Sequence, residues 1–130
     1  SIMIGVNDVW RQFDLPRQKE IHVSPKVYEK TLLELASKTR PKLKGLIIMA
    51  PFYLEPNRED PMRKRMDQYG AICKKVARKT DAIFIDTQAV FDDLLTHMHA
   101  NAIAWDRVHP NTIGHSVIAR AFLNAIDVPM

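Results

Sequence analysis

Cysteine is almost absent: Cys73 is the only one in 130 residues, so neither a disulfide framework nor a cysteine-rich metal site is available. It falls within the apolar pattern of a helix, where core packing is its expected work. No run approaches the length of a membrane span and no signal peptide is visible, which leaves a cytoplasmic location as the default. Internal repeats and low-complexity segments are lacking too. The 19 Lys+Arg against 15 Asp+Glu give a formal charge of +4. Yet Lys38, Arg40, Lys42, Lys44, Arg63, Lys64, Arg65, Lys74, Lys75, Arg78 and Lys79 fall on expected helices or their ends, with acidic residues interspersed. That pattern describes solvated helical faces. Without interleaved aromatics or a fingerprint it makes no nucleic-acid surface.

What is present is 46% hydrophobic content, enough for one globular unit. Continuous apolar runs at residues 2–6, 46–50 and 82–85 predict parallel strands covered on both faces. Ser24-Pro25 is a cap and first-turn pair for a helix carrying Val27, Tyr28, Leu32, Leu35 and Ala36 until Arg40-Pro41 stops it. A proline-rich loop over 51–61 precedes a helix over 62–78, with Met66, Tyr69, Cys73, Val76 and Ala77 facing inward. A short helix over 88–98 follows the third strand. The last helix starts after Pro110, is capped by Asn111, and is expected to bury Ile113, Val117, Ile118, Ala121, Phe122 and Ala125. The order implies an α/β layer architecture. A strand starting at once, with no cap or turn before it, suggests that preceding sequence is absent. Three strands make a thin sheet, so a fuller domain or a partner chain is expected.

In open α/β sheets ligands bind at the carboxyl ends of the strands. Asn7 and Asp8, Pro51-Phe52-Tyr53, and Asp86-Thr87 all sit there, and the loop before the last helix can reach the same rim. In that loop Asp106 and His109 are one tight turn apart. The carboxylate can bond one imidazole nitrogen and leave the other free to take a proton from a nucleophile. The alternative is a turn aspartate beside a surface histidine. Asn7 either donates its amide N–H to a developing oxyanion or bonds its own backbone in a turn. Gly5 permits close backbone approach, and Asp8 most simply holds the strand-to-helix turn. Trp10 and Trp105 flank the site in sequence, as core residues or as an apolar wall beside a sugar or acyl group. His97 and His99, near Asp92 and Asp93, match no strong metal spacing and read as surface residues. His115 reads as packed or locally bonded.

Ile4-Gly5-Val6-Asn7-Asp8 and Asp106-Arg107-Val108-His109-Pro110, continuing through Asn111-Thr112-Ile113-Gly114-His115, resemble two blocks of the SGNH, or GDSL-type, hydrolase family. Stretches such as Asn7 to Asp14, Asp60-Pro61-Met62-Arg63, Met66 to Gly70 and Ala104 to Pro110 look most like bacterial acetylxylan or acetyl-xylooligosaccharide esterases. The resemblance implies a flavodoxin-like three-layer sandwich around a parallel sheet. It implies a serine esterase with His109 as base then acid, Asp106 as orienter and Asn7 as oxyanion donor. The substrate would be an acetylated oligosaccharide or another small ester, in a homo-oligomer with no metal or organic cofactor and no nucleic-acid or membrane partner. A lipid ester or thioester, or a noncatalytic binding or assembly role, is the alternative. The family's Gly-Asp-Ser block is not found, and Ser1, Ser24, Ser37 and Ser116 stand in no suitable turn after a strand. The expectation is therefore that residues 1–130 form the C-terminal part of one such domain, with the N-terminal strands and the nucleophile block missing and the chain alone inactive.

Overall fold

The three apolar runs pair in parallel in the computed structural model, which describes residues 1–128. β1 (Ile2–Met3), β2 (Ile47–Met49) and β3 (Ile83–Ile85) form one sheet in the order β1-β2-β3. Ile2 lies opposite Ile48 and Ile48 opposite Phe84, while Met3, Met49 and Ile85 form the next row. Side chains alternate across a strand, so the two rows face opposite layers. Pairing of β1 with β2 corrects the expectation that the N-terminal strand is missing: it is present, and hydrogen-bonded to the centre of the sheet.

Between β1 and β2 stand two helices where the sequence pattern suggested one. α1 (Val6–Asp14) starts immediately after Gly5, and α2 (Pro25–Thr39) begins at a Ser24 cap whose hydroxyl oxygen accepts the Val27 N–H. Gly5 sits at φ 118°, a left-handed backbone that ends the strand four residues into the expected run. A Cβ there would also lie 2.9 Å from the Tyr28 Oη. α3 (Pro61–Lys79) is capped by Asp60 and buries Met66, Tyr69, Cys73, Val76 and Ala77, the inward face read from its periodicity. These residues join Val9, Tyr28, Leu32, Ala36 and Ile48 in the main core on one side of the sheet.

On the other side, α4 (Thr87–Leu95) and α5 (Thr112–Ala125) complete the three layers. Ile118, Ala121, Phe122 and Ala125 of α5 pack against Ile47, Met49 and Ile85. This layer is shallower than its sequence suggests. Gly114 is the buried residue of α5, Val117, Ile118, Ala121 and Phe122 are half-buried, and Ile113 is exposed. The expected burial of the whole α5 stripe is thus corrected: Ile118, Ala121, Phe122 and Ala125 meet the sheet while staying half-buried, and Ile113 lies outside that contact.

A third cluster ties the rim together. Phe52 and Leu54 from the loop after β2 pack with Phe91 of α4 and with Ala100, Ile103 and Ala104. This cluster places the segment before α5 against the carboxyl end of the sheet.

Candidate active site

The segment 106–111 is folded by its own side chains. Asp106 Oδ1 accepts the backbone N–H of Val108 at 3.0 Å and of His109 at 2.8 Å, closing a turn on its carboxylate. Asn111 then caps α5, its Oδ1 accepting from Ile113 N at 3.0 Å and Gly114 N at 3.3 Å, while its Nδ2 donates to the Ala102 carbonyl at 2.9 Å. Gly114 is required by packing: a Cβ would lie 2.5 Å from the Pro110 Cβ and 2.9 Å from Ile103. The turn is pinned at both ends before any substrate arrives.

With the turn so fixed, Asp106 Oδ2 lies 2.6 Å from His109 Nδ1. An ionised carboxylate only accepts, so the neutral imidazole carries its proton on Nδ1 and presents a bare Nε2. Burial works against the charge on Asp106, but the His109 ring and the His109 and Val108 N–H groups outweigh it and hold the carboxyl at about 2. The acid is sheltered, with a side chain 14% exposed, and the ring is open, at 63%. Among the described residues Nε2 makes no hydrogen bond.

Trp10 brings α1 to the same place. Its ring meets the imidazole edge to face, 5.4 Å between centroids at 71°, and the Arg11 guanidinium lies 4.8 Å over the indole. Asn7 precedes Trp10 by three residues on α1, which puts both on one helical face. Asn7 is exposed, and its side chain makes no hydrogen bond among the described residues. It occupies the first turn of a helix rather than a strand end. Gly5 is buried beneath this turn, where Tyr28 Oη donates to the Ile4 carbonyl at 2.9 Å. Cys73, whose Sγ lies 3.1 Å from that hydroxyl, is pushed up to about 11 by burial, as its packing role implies.

Other candidates divide. Asp8 does not cap the turn with its side chain; it is half-buried, and burial raises its carboxyl above the ordinary range. Trp105 is 82% exposed and belongs to no core cluster among the described residues. His115 is exposed rather than packed, and His99 Nδ1 accepts from Asn101 N. Asp86 caps α4 through Ala89 N. Ser24 caps α2 and Ser116 Oγ donates to the Thr112 carbonyl at 2.8 Å; among the described residues no serine hydroxyl bonds to His109.

Arg63, expected on a solvated face, is 2% exposed. Its guanidinium holds Asp92 with two bonds of 2.9 and 2.6 Å, Asp67 at 2.9 Å and the Glu55 carbonyl at 2.7 Å. Burial opposes its charge, but Asp92 and Asp67 outweigh that and push it above the ordinary arginine range. Gln88 extends the cluster, bonding Asp92 Oδ1 and both the N–H and carbonyl of Tyr53. The Arg63–Asp67 pair was visible as an i,i+4 spacing; the remaining partners carry no sequence signal. A groove of about 430 Å³ adjoins this cluster between α3, α4 and β3, away from His109.

Comparison with known proteins gives the site a context. The model of the GDSL-like Lipase/Acylhydrolase family matches residues 1–117. An acetylxylan esterase of Geobacillus stearothermophilus is 55% identical over 126 residues, covering 97% of this chain and 58% of that protein. The crystal structure of Axe2, an acetylxylan esterase of the same organism, superposes with a TM-score of 0.95 at 54% identity, over 97% of this chain and 57% of that one. LAE5, an alpha/beta hydrolase enzyme from the metagenome of Lake Arreo in Spain, gives 0.95 at 53% identity, over 97% and 58%. The chain thus spans somewhat over half the length of these relatives. Catalytic mutants of Axe2 replace a serine, an aspartate or a histidine by alanine. The replaced aspartate and histidine stand three positions apart and a substituted tryptophan directly precedes the aspartate, the spacing of Trp105, Asp106 and His109. The alignments run across 97–99% of the chain, β1 included, and the expectation of a C-terminal part lacking its nucleophile block is withdrawn on that finding. On the match over residues 1–117 and the 55% identity, the chain belongs to the GDSL-like Lipase/Acylhydrolase family.

Proposed function

We propose that the protein is a serine carboxylic ester hydrolase that removes O-acetyl groups from xylan-derived oligosaccharides through an acyl-enzyme. The observation that carries this is the Asp106–His109 pair, closed at 2.6 Å on Nδ1 and open at Nε2 beside Trp10 and the Asn7 turn. The similarity to acetylxylan esterases supports the choice of acetyl ester and sugar.

The residues act in sequence. His109 Nε2 takes the proton of a serine hydroxyl as its oxygen attacks the acetyl carbonyl. Asp106 stabilises the imidazolium that forms and keeps the ring oriented. The Asn7 amide N–H donates to the carbonyl oxygen as it gains charge, an interaction stronger in the transition state than in the bound ester. His109 then returns the proton to the sugar oxygen, the C–O bond breaks, and an acetyl-serine remains. Water, deprotonated by the same nitrogen, attacks that ester; the bond from the acyl carbon to the serine oxygen breaks, the serine takes the proton back from His109, and acetate is released. Trp10 supplies an apolar wall against which a small acyl group or a sugar face can rest.

The test compares acetate release by the whole protein from acetylated xylooligosaccharides with hydrolysis of longer acyl esters. Faster turnover of the acetylated sugars is expected. Equal or faster hydrolysis of long-chain esters would remove the substrate assignment, and no hydrolysis of any ester would remove the reaction.

A further inference from the structure

Arg107, between the acid and the base, has its backbone at φ 65°. Residues with a Cβ are disfavoured there, and a glycine would make the same turn without that cost. What the arginine adds is its side chain, whose Nη1 donates to the carboxylate of Glu55, a residue 52 positions away in the loop after β2. The two segments are also joined by the backbone, Leu54 N donating to the Arg107 carbonyl at 3.1 Å.

Glu55 is itself held from behind. Its carbonyl accepts Arg63 Nη1 at 2.7 Å, and Arg63 is fixed by Asp92 from α4 and Asp67 from α3. Gln88 anchors Tyr53, two residues before Glu55, through both backbone groups. Only 13% of the Glu55 side chain is exposed, so its carboxylate is a fixed point rather than a free surface charge. A chain of held groups therefore runs from α3 and α4 to the turn that carries both catalytic side chains.

We infer that Arg107 is a positioning residue: Glu55, braced by Arg63, grips its guanidinium and thereby sets the turn that aligns His109 Nδ1 on Asp106. The consequence for turnover rests on the esterase reading; the alignment is a property of the free protein. Groups that orient a catalytic pair from outside commonly govern rate through small displacements.

Three variants of the whole protein test this: Arg107→Gly, which suits φ 65°, Arg107→Lys, which keeps a cation, and Glu55→Gln, which leaves the backbone alone. The first readout is the low-field proton resonance of His109 Nδ1–H on Asp106; the second is kcat and KM on a short acetyl ester. In Arg107→Gly and Glu55→Gln the resonance should move upfield or broaden away, and kcat should fall about ten- to a hundred-fold with KM little changed. Arg107→Lys should recover part of both. An unchanged resonance and kcat in both Arg107→Gly and Glu55→Gln would overturn the proposal, as would a lowered melting temperature with the resonance intact. A rise in KM alone would make Arg107 a substrate contact and overturn it equally. If the resonance moves while the wild-type protein hydrolyses no ester, positioning stands and the esterase reading falls.

Discussion

Asp92 and Asp106 each hold a basic side chain at the same distance, 2.6 Å, and do opposite things. Asp92 and Asp67 close around Arg63, which is fully buried and spends its donors on two carboxylates and a carbonyl. A guanidinium so placed cannot exchange a proton; its contribution is to fasten α3, α4 and the loop after β2. Asp106 closes around one nitrogen of His109 and leaves the other in the open. The difference lies in what remains unpaired: the first set of partners is complete, whereas the second leaves one imidazole nitrogen without a partner and able to accept a proton.

Breaking each pair should therefore show on a different instrument. Asp106→Asn should lower kcat of the whole protein by about ten-thousand-fold, because an amide no longer enforces the tautomer; steady-state kinetics on an acetyl ester reads it. Arg63→Ala should lower unfolding free energy by about 3–5 kcal/mol, since Asp92 and Asp67 are left facing an empty site; urea unfolding measures it. Asn7→Ala should lower kcat about 10²–10³-fold, with a smaller change in KM. The smallest effect is on stability against pH. Asp106 is held at about 2 when folded, below the ordinary value near 4 for an aspartate. Its contribution is present above pH about 4 and is lost as pH falls through about 2. Acid unfolding curves of the wild-type protein and Asp106→Asn should accordingly converge toward pH about 2.

The contrast also explains what was legible beforehand. The Asp106–His109 pair could be read because its bonds span three residues, so spacing alone brings the groups together. The strands were legible as continuous apolar runs, and α3 by its inward face. α1 was missed because Val6 continues the apolar run of β1, and the break is made by Gly5 at a positive φ rather than by composition. The shelter of Arg63 was hidden for another reason. Asp92 is 29 residues away, and the Glu55 contact to Arg107 spans 52, separations that only the folded rim closes. Trp10 against His109 belongs to the same class, an α1 side chain meeting the turn before α5.

The most direct test of the central claim, that the free Nε2 of His109 is the proton acceptor in ester cleavage, is kcat/KM of His109→Ala beside wild type on the same acetyl ester, with melting temperatures in parallel. A fall of about a million-fold with melting unchanged is the expected result. Wild-type turnover retained in a folded His109→Ala protein would contradict it.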